Sequence, residues 1–398
     1  MTSTLRARVA VASNAAFYGQ STVALPLTLA ANGASKAQIA LFFAVGAVVA
    51  AGLNLLGGPA LRRRGSPWWG PSVCGVVAAL GTLLVLATAP SPAMYLGGAA
   101  MMTMTLVFPH YLSVIGGRDV AGPARLVGRM RRVFVIGYLG GLALASAGGL
   151  LHSLDDDFQP LWIAAVLALI DGLIPLGDRR PAPAAVVPAP AAAVPAPAAA
   201  GPGRRFRAGV TLLICVLAVL LLRAADAVRL VYLPLFMVDQ GLSGTSVALL
   251  LLMSVAAEVP LLGPITALAD RIGSRRAIVL IAGVGLASFA VIPTVGGMVA
   301  LIVSQLLYAV FAAGFQSVGM VLLSDVMDGG LGAGADVYTG MVQVGAVFGV
   351  AAPLLVPGYS ARIFLLGAAF CLAAMVLLIA VRRRLPPVGV RAADGRRR

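Results

Sequence analysis

The sequence predicts an all-α polytopic membrane protein, with twelve transmembrane helices in two pseudo-symmetric six-helix bundles. Three observations carry that prediction. Of 398 residues, 60% are hydrophobic and 11% charged, with a mean hydropathy of +0.98, whereas soluble domains carry roughly 25% charged residues. Twelve apolar windows of about 20 residues, the length a helix needs to cross hydrocarbon, follow one another along the chain. A short polar pattern after the second window recurs after the eighth.

The windows lie near 9–31, 37–60, 71–90, 94–115, 132–151, 160–176, 209–237, 244–268, 277–296, 299–323, 338–357 and 361–381. Lipid offers no partner to a backbone N–H or C=O, so each should be helical, and Gly140, Gly141, Gly345 and Gly349 should serve close helix contact. Residues 181–203 are a Pro/Ala run expected to form an extended, polyproline-like tether. The expected organisation is an N-terminal bundle over 1–180, a linker over 181–207, a C-terminal bundle over 208–382 and a basic tail over 383–398.

Arginines then assign the sides. With both termini on one face, 25 of the 29 basic residues fall there, in the N-terminal segment, three alternate loops, the central linker and the tail. The positive-inside rule makes that face cytoplasmic, in the cell membrane. Lys36 and Asp155 to Asp157 fall on the other. The net charge of +15 and pI near 11.0 therefore reflect orientation, and nucleic acid is not an expected partner. Cleavage of the first window as a signal peptide would leave eleven spans and spoil this assignment. Cys74, Cys215 and Cys371 lie in separate apolar runs, so neither a disulfide framework nor a metal cluster is suggested.

The recurring pattern is Gly58-Pro-Ala-Leu-Arg62-Arg63-Arg64-Gly65 and, 208 residues later, Thr266-Ala-Leu-Ala-Asp270-Arg271-Ile-Gly273-Ser-Arg275-Arg276. It resembles G-x-x-x-D-R-x-G-x-R-R, the signature of the major facilitator superfamily. The first copy keeps Gly58, Arg63 and Gly65 but has Arg62 in place of the acid; the second keeps Asp270, Arg271, Gly273, Arg275 and Arg276. Such charges can pair with a neighbouring helix end and latch one conformation, or simply anchor orientation. Tyr232-Leu-Pro234-Leu-Phe236, Ala257-Glu258-Val-Pro260, Met130-Arg131-Arg132 and Gly140-Gly141 further resemble the sugar efflux transporter family, which implies proton-driven export of sugars or glycosides with Arg131 and Glu258 at charged family positions. Asp226 departs from that pattern, since the family often has a small polar residue there.

Ionisable groups inside spans cost about 2.5–3.5 kcal/mol each on insertion scales, so they line a cavity or pair. Glu258, the sole glutamate, sits deep in the eighth window and is the expected proton carrier, with Asp226 second. Arg223, Asp226 and Arg229 share a face at i, i+3 spacing, so the acid can reach either arginine; a structural ion pair and a cavity site both fit. Arg131 is either the last loop charge or a cavity residue. Asn14, Tyr18, Tyr138, Gln305, Gln316 and Gln343 would suit a hydroxyl-rich ligand, and each would equally serve as an interhelical hydrogen bond. His110, which follows Pro109, suits a structural role more than a proton relay, and Asp171, near the inner end of the sixth window, is assigned no role.

No Gly-x-x-x-x-Gly-Lys-Ser/Thr loop occurs, so secondary rather than nucleotide-driven transport is expected, with no cofactor and no metal. The expected partners are a small-molecule substrate (sugar, glycoside or drug), protons and the lipid bilayer, with a monomeric chain. Drug or secondary-metabolite efflux is the alternative. Two histidines and no clustered nucleophile and base argue against a membrane enzyme.

Overall fold

A computed structural model describes residues 3–57, 69–108, 110–111, 123–155, 157–174, 202–326 and 330–380. These residues form twelve α-helices and no strand. They are α1 (Ser3–Ala31), α2 (Lys36–Gly52), α3 (Trp69–Thr88), α4 (Met94–Met101), α5 (Pro123–Leu154), α6 (Leu161–Leu173), α7 (Pro202–Asp239), α8 (Gly244–Ile272), α9 (Ser274–Val295), α10 (Gly297–Val326), α11 (Gly330–Ala351) and α12 (Ile363–Ala380). Eight of them are long and apolar enough to cross a membrane, and α2 and α6 are shorter apolar helices. Their surface suits lipid: Leu80, Leu96, Val299 and Ile379 are each at least half exposed, as expected where hydrocarbon replaces water.

Two windows depart from a single regular helix. After α2 the chain widens into a π turn over Leu53–Gly57, and after α4 it tightens into a 3₁₀ turn over Met102–Leu106. Threonine back-bonding accounts for the second. Thr103 Oγ1 donates to Ala100 O (2.8 Å) and Thr105 Oγ1 to Met102 O (2.8 Å), which competes with the α ladder. Asn54 Nδ2 then donates to Thr105 Oγ1 at 3.0 Å, joining the two turns. The expected linker also ends earlier than its composition suggested, because α7 begins at Pro202, inside 181–207. Proline suits the first turn of a helix, where its missing N–H costs nothing.

The halves are related by a six-helix offset. In the first, α1 packs on α5 and α6, α3 on α4 and α6, and α2 on α4; in the second, α7 packs on α11 and α12, α9 on α10 and α12, and α8 on α10. Residues repeat too, at a constant spacing of 208. Pro26 and Pro234 lie inside α1 and α7. Gly33 and Gly241 end these helices with φ of 81° and 85°, a left-handed conformation that glycine adopts without strain. Ser35 and Ser243 cap α2 and α8 by accepting the Gln38 and Ser246 N–H groups, each at 3.2 Å.

The closest helix contacts follow the same spacing. A Cβ at Gly137 or Gly141 of α5 would collide with the Ala12 or Ala16 carbonyl of α1; at Gly345 or Gly349 of α11 it would collide with the Leu220 or Ala224 carbonyl of α7. These are backbone-to-backbone contacts of the kind small residues permit in lipid. Gly140, expected to share this role, faces open space, because one residue along a helix turns the side chain about 100° away.

The halves meet through α5 against α8 and α2 against α11, which the six-helix offset exchanges. On the face opposite the arginine-rich loops, Lys36 Nζ donates to Val356 O (2.5 Å) and Gly358 O (2.6 Å) and lies over the Tyr232 and Tyr359 rings at 5.6 and 5.7 Å. Lys36 is the only lysine in the chain. Ser146 and Thr245 exchange hydroxyl-to-carbonyl bonds nearby at 3.4 Å. We expect Lys36→Met to open this face about tenfold more often, the charged hydrogen bonds being worth roughly 1.5 kcal/mol. The labelling rate of a cysteine at Ser146 by an impermeant maleimide checks it; an unchanged rate would mean that Lys36 holds nothing shut.

Candidate functional site

Buried charge gathers where the halves meet. Arg131 of α5 points across the seam, where its Nη2 lies 3.3 Å from Glu258 Oε1 of α8 and also donates to Gln316 Oε1 of α10. Glu258 is 6% exposed. A carboxylate in that setting needs a donor, and guanidinium is the strongest available. The structure therefore places Arg131 as a seam residue rather than a loop charge.

In α7, Asp226 binds one of its two flanking arginines. Its Oδ2 accepts from Arg223 Nη1 and its Oδ1 from Tyr308 of α10, while Arg223 Nε donates to Val342 O at 3.3 Å. Arg229, one turn further on, turns the other way. Its Nη2 donates to Ser254 Oγ of α8 (3.2 Å) and Gln305 Oε1 of α10, and its guanidinium stacks 3.4 Å over the Tyr308 ring. Both arginines satisfy the spacing rule; packing against α11 on one side and α8 and α10 on the other divides them.

Between the clusters, Tyr138 of α5 donates to Thr22 Oγ1 of α1 at 2.8 Å. Thr22, Tyr138 and Leu142 from the first half and Arg229, Leu230, Leu251 and Val255 from the second line a narrow cavity. Its walls are apolar apart from Tyr138, Thr22 and Arg229. The space they enclose is about that of a single water molecule.

The other expected polar residues divide. Gln305 and Gln316 join the site by accepting from Arg229 and Arg131. Asn14 instead donates to Met104 O at 3.1 Å within the first half. Tyr18 packs its ring on Phe134, with centroids 6.3 Å apart. Gln343 is half-buried on α11. His110 and Asp171 are buried in the first half. Tyr308, Ser254 and Thr22 escaped sequence reading; only the Gln305 to Tyr308 spacing of three, placing both on one face of α10, pointed to the tyrosine.

Of the two loop motifs, Gly58, Arg63 and Gly65 lie outside the described residues. The second joins α8 to α9: Gly273 ends α8 and Arg275 and Arg276 enter the first turn of α9. Asp270 is exposed. The acid that reaches the α9 N-terminus is Asp325 of α10, whose Oδ2 accepts from Ser274 Oγ at 2.5 Å, a favourable place for negative charge.

Residues 215–398 match the Major Facilitator Superfamily. No curated protein matches the sequence. Among solved structures, the nucleoside transporter NupG is similar over 96% of this chain and 98% of its own, with TM-score 0.73 and 15% identity. The POT family transporter PepTSo follows with 95% and 97% coverage, TM-score 0.72 and 12% identity. A bacterial homologue of the human lysosomal transporter Spinster, inward-facing and unoccupied, covers 94% and 91% with TM-score 0.67 and 15% identity. At these identities the likeness is one of fold. The Major Facilitator Superfamily match spans residues 215–398, a little under half of the chain; over nearly its whole length the chain shares the fold of these solved transporters, and eight of its described helices are long and apolar enough to cross a membrane.

Proposed function

We propose that the chain is a proton-coupled secondary transporter of a small, hydroxyl-rich solute of the sugar or glycoside class, with Glu258 as proton carrier. The observation that carries this reading is the Arg131–Glu258 bridge, which joins the two halves at a buried level of the seam. Protonating Glu258 removes its attraction for Arg131. The pair thus ties a proton to the contact between halves, which alternating access must break. The hydroxyl-rich class draws support from Tyr138 and Thr22, which line the cavity, and from Gln305 and Gln316, which accept from Arg229 and Arg131 at the seam, each able to bond a hydroxyl group.

Purified protein in liposomes under an imposed pH gradient tests it, with neutral sugars, glycosides and cationic drugs offered as solutes. Glu258→Gln is expected to abolish gradient-driven accumulation while leaving solute counterflow, which needs no net proton movement. Accumulation that survives the substitution would end the coupling role. Preference for cationic amphipathic drugs would favour the efflux alternative.

A further inference from the structure

Among the described residues the seam holds more positive than negative charge, and the surplus sits on one residue. Three guanidinium groups, Arg131, Arg223 and Arg229, face two carboxylates, Asp226 and Glu258. Asp226 is occupied on both oxygens, by Arg223 and Tyr308. Glu258 is taken by Arg131. Arg229 is left with neutral partners only, namely the Ser254 hydroxyl, the Gln305 amide oxygen and the Tyr308 ring. It is 4% exposed, and its Nε donor is buried with no acceptor. Arginine does not shed its proton at any working pH; Asp226 and Glu258 act on Arg229 only from a distance, and a buried charge with no direct ion pair is costly. Arg229 also lines the narrow cavity, opposite Thr22 and Tyr138 of the other half.

We infer that the transported solute carries a carboxylate or phosphate group, which Arg229 binds at the seam. This rests on the transporter reading above and narrows the hydroxyl-rich solute to an acidic one, such as a sugar acid or sugar phosphate. The planar guanidinium suits either oxyanion, which meets the open Nε and takes Nη2 in place of Ser254 or Gln305. Tyr138 and Thr22 supply hydroxyl partners for the rest of the molecule.

The location has a consequence for coupling. Glu258 lies within electrostatic reach of Arg229 and Asp226 as well as of Arg131. A solute anion on Arg229 and an ionised Glu258 repel each other, so the anion binds best to the form with a proton on Glu258. By reciprocity the proton binds best to the solute-loaded form. Solute and proton then move together, opposite to the exchange that the sugar-efflux resemblance implies. The charge of a monovalent acid is cancelled by the proton that travels with it.

Two readouts test the inference. In the first, liposomes holding the protein stand in weakly buffered medium, and the external pH is followed after adding glucose, glucuronate or glucose 6-phosphate. External alkalinisation is expected with an acidic member, about tenfold or more above glucose, and the acid that works tells carboxylate from phosphate. In the second, the detergent-solubilised protein is melted with each compound. Stabilisation by an acidic member but not by glucose is expected in the wild type, lost in Arg229→Gln and partly kept in Arg229→Lys. Equal responses to glucose and the acids, no acid-selective response in either readout, or acid selectivity that survives Arg229→Gln would overturn the anion site. Acid-selective stabilisation of the wild type without proton movement would leave the anion site standing and remove the proton coupling instead.

Discussion

Leucine at Gly349 is expected to leave almost no folded protein in the membrane. The helices α7 and α11 touch there backbone to backbone: a single added carbon would meet the Ala224 carbonyl and lie 2.7 Å from Ala227 Cβ. No flexible side chain can swing aside, so the helices must separate and lose the dispersion contacts that hold them in lipid. Overpacking costs about 1–3 kcal/mol even in cores that relax, and this site has less freedom than most. Gly141→Leu should fail in the same way, because its added carbon meets the Ala16 carbonyl of α1 in the equivalent pair. Gly140→Leu is the control, one residue along the same helix but facing open space. Size-exclusion profiles in detergent should show a monodisperse peak for the control and its loss for the other two. A normal peak for Gly349→Leu would refute the close packing.

Removing Arg131 alone should be worse than removing its charge partner along with it. Arg131→Ala strands the buried carboxylate of Glu258, and breaking a buried pair from one side costs about 3–5 kcal/mol. The Arg131 side chain is 26% exposed, so a smaller loss of about 2–3 kcal/mol is expected here. The double variant Arg131→Ala with Glu258→Gln carries no stranded charge and should recover much of that loss. Thermal melts of the four proteins form a double-mutant cycle, with an expected coupling of at least about 1 kcal/mol. Additive effects would mean that the two groups do not interact.

Much of this architecture was legible because lipid enforces it. A run of apolar residues in a bilayer has few choices besides a helix, and arginine counts between runs order the faces. The 208-residue period was legible as well, but the loop motif that revealed it is among its poorer copies: Arg62 replaces the acid, and Thr266 the leading glycine. The better copies, Pro26 with Pro234, Gly33 with Gly241 and Gly137 with Gly345, lie in apolar runs where a glycine or proline attracts little notice. Gly140 and Gly141 look alike in sequence and differ only in which way the helix turns them.

At the site, residue types were legible and partnerships were not. A lone glutamate in an apolar span announces itself, and so does an arginine at the edge of one. That Arg131 and Glu258 meet across 127 positions depends on how α5 and α8 cross, which no local pattern encodes. Asp226 had two arginines at equal spacing and binds Arg223, because Ser254, Gln305 and Tyr308 draw Arg229 away. Lys36 read as a sidedness marker; its role across the seam depends on carbonyls at Val356 and Gly358, which any residue would supply.

Under the proposed function the two halves alternate about the Arg131–Glu258 seam, closing one face as the other opens. Spin-label distances measure this most directly. One pair of labels, at Asn32 and Pro357, reports the Lys36 face; a second, at Leu5 and Arg276, reports the arginine-rich face. Across a pH titration in the presence of transported solute, two-state distributions that move in opposite directions are expected, with Glu258→Gln holding both pairs in one state at every pH. Two distances that lengthen together, that stay fixed, or that respond to pH unchanged in Glu258→Gln would contradict it.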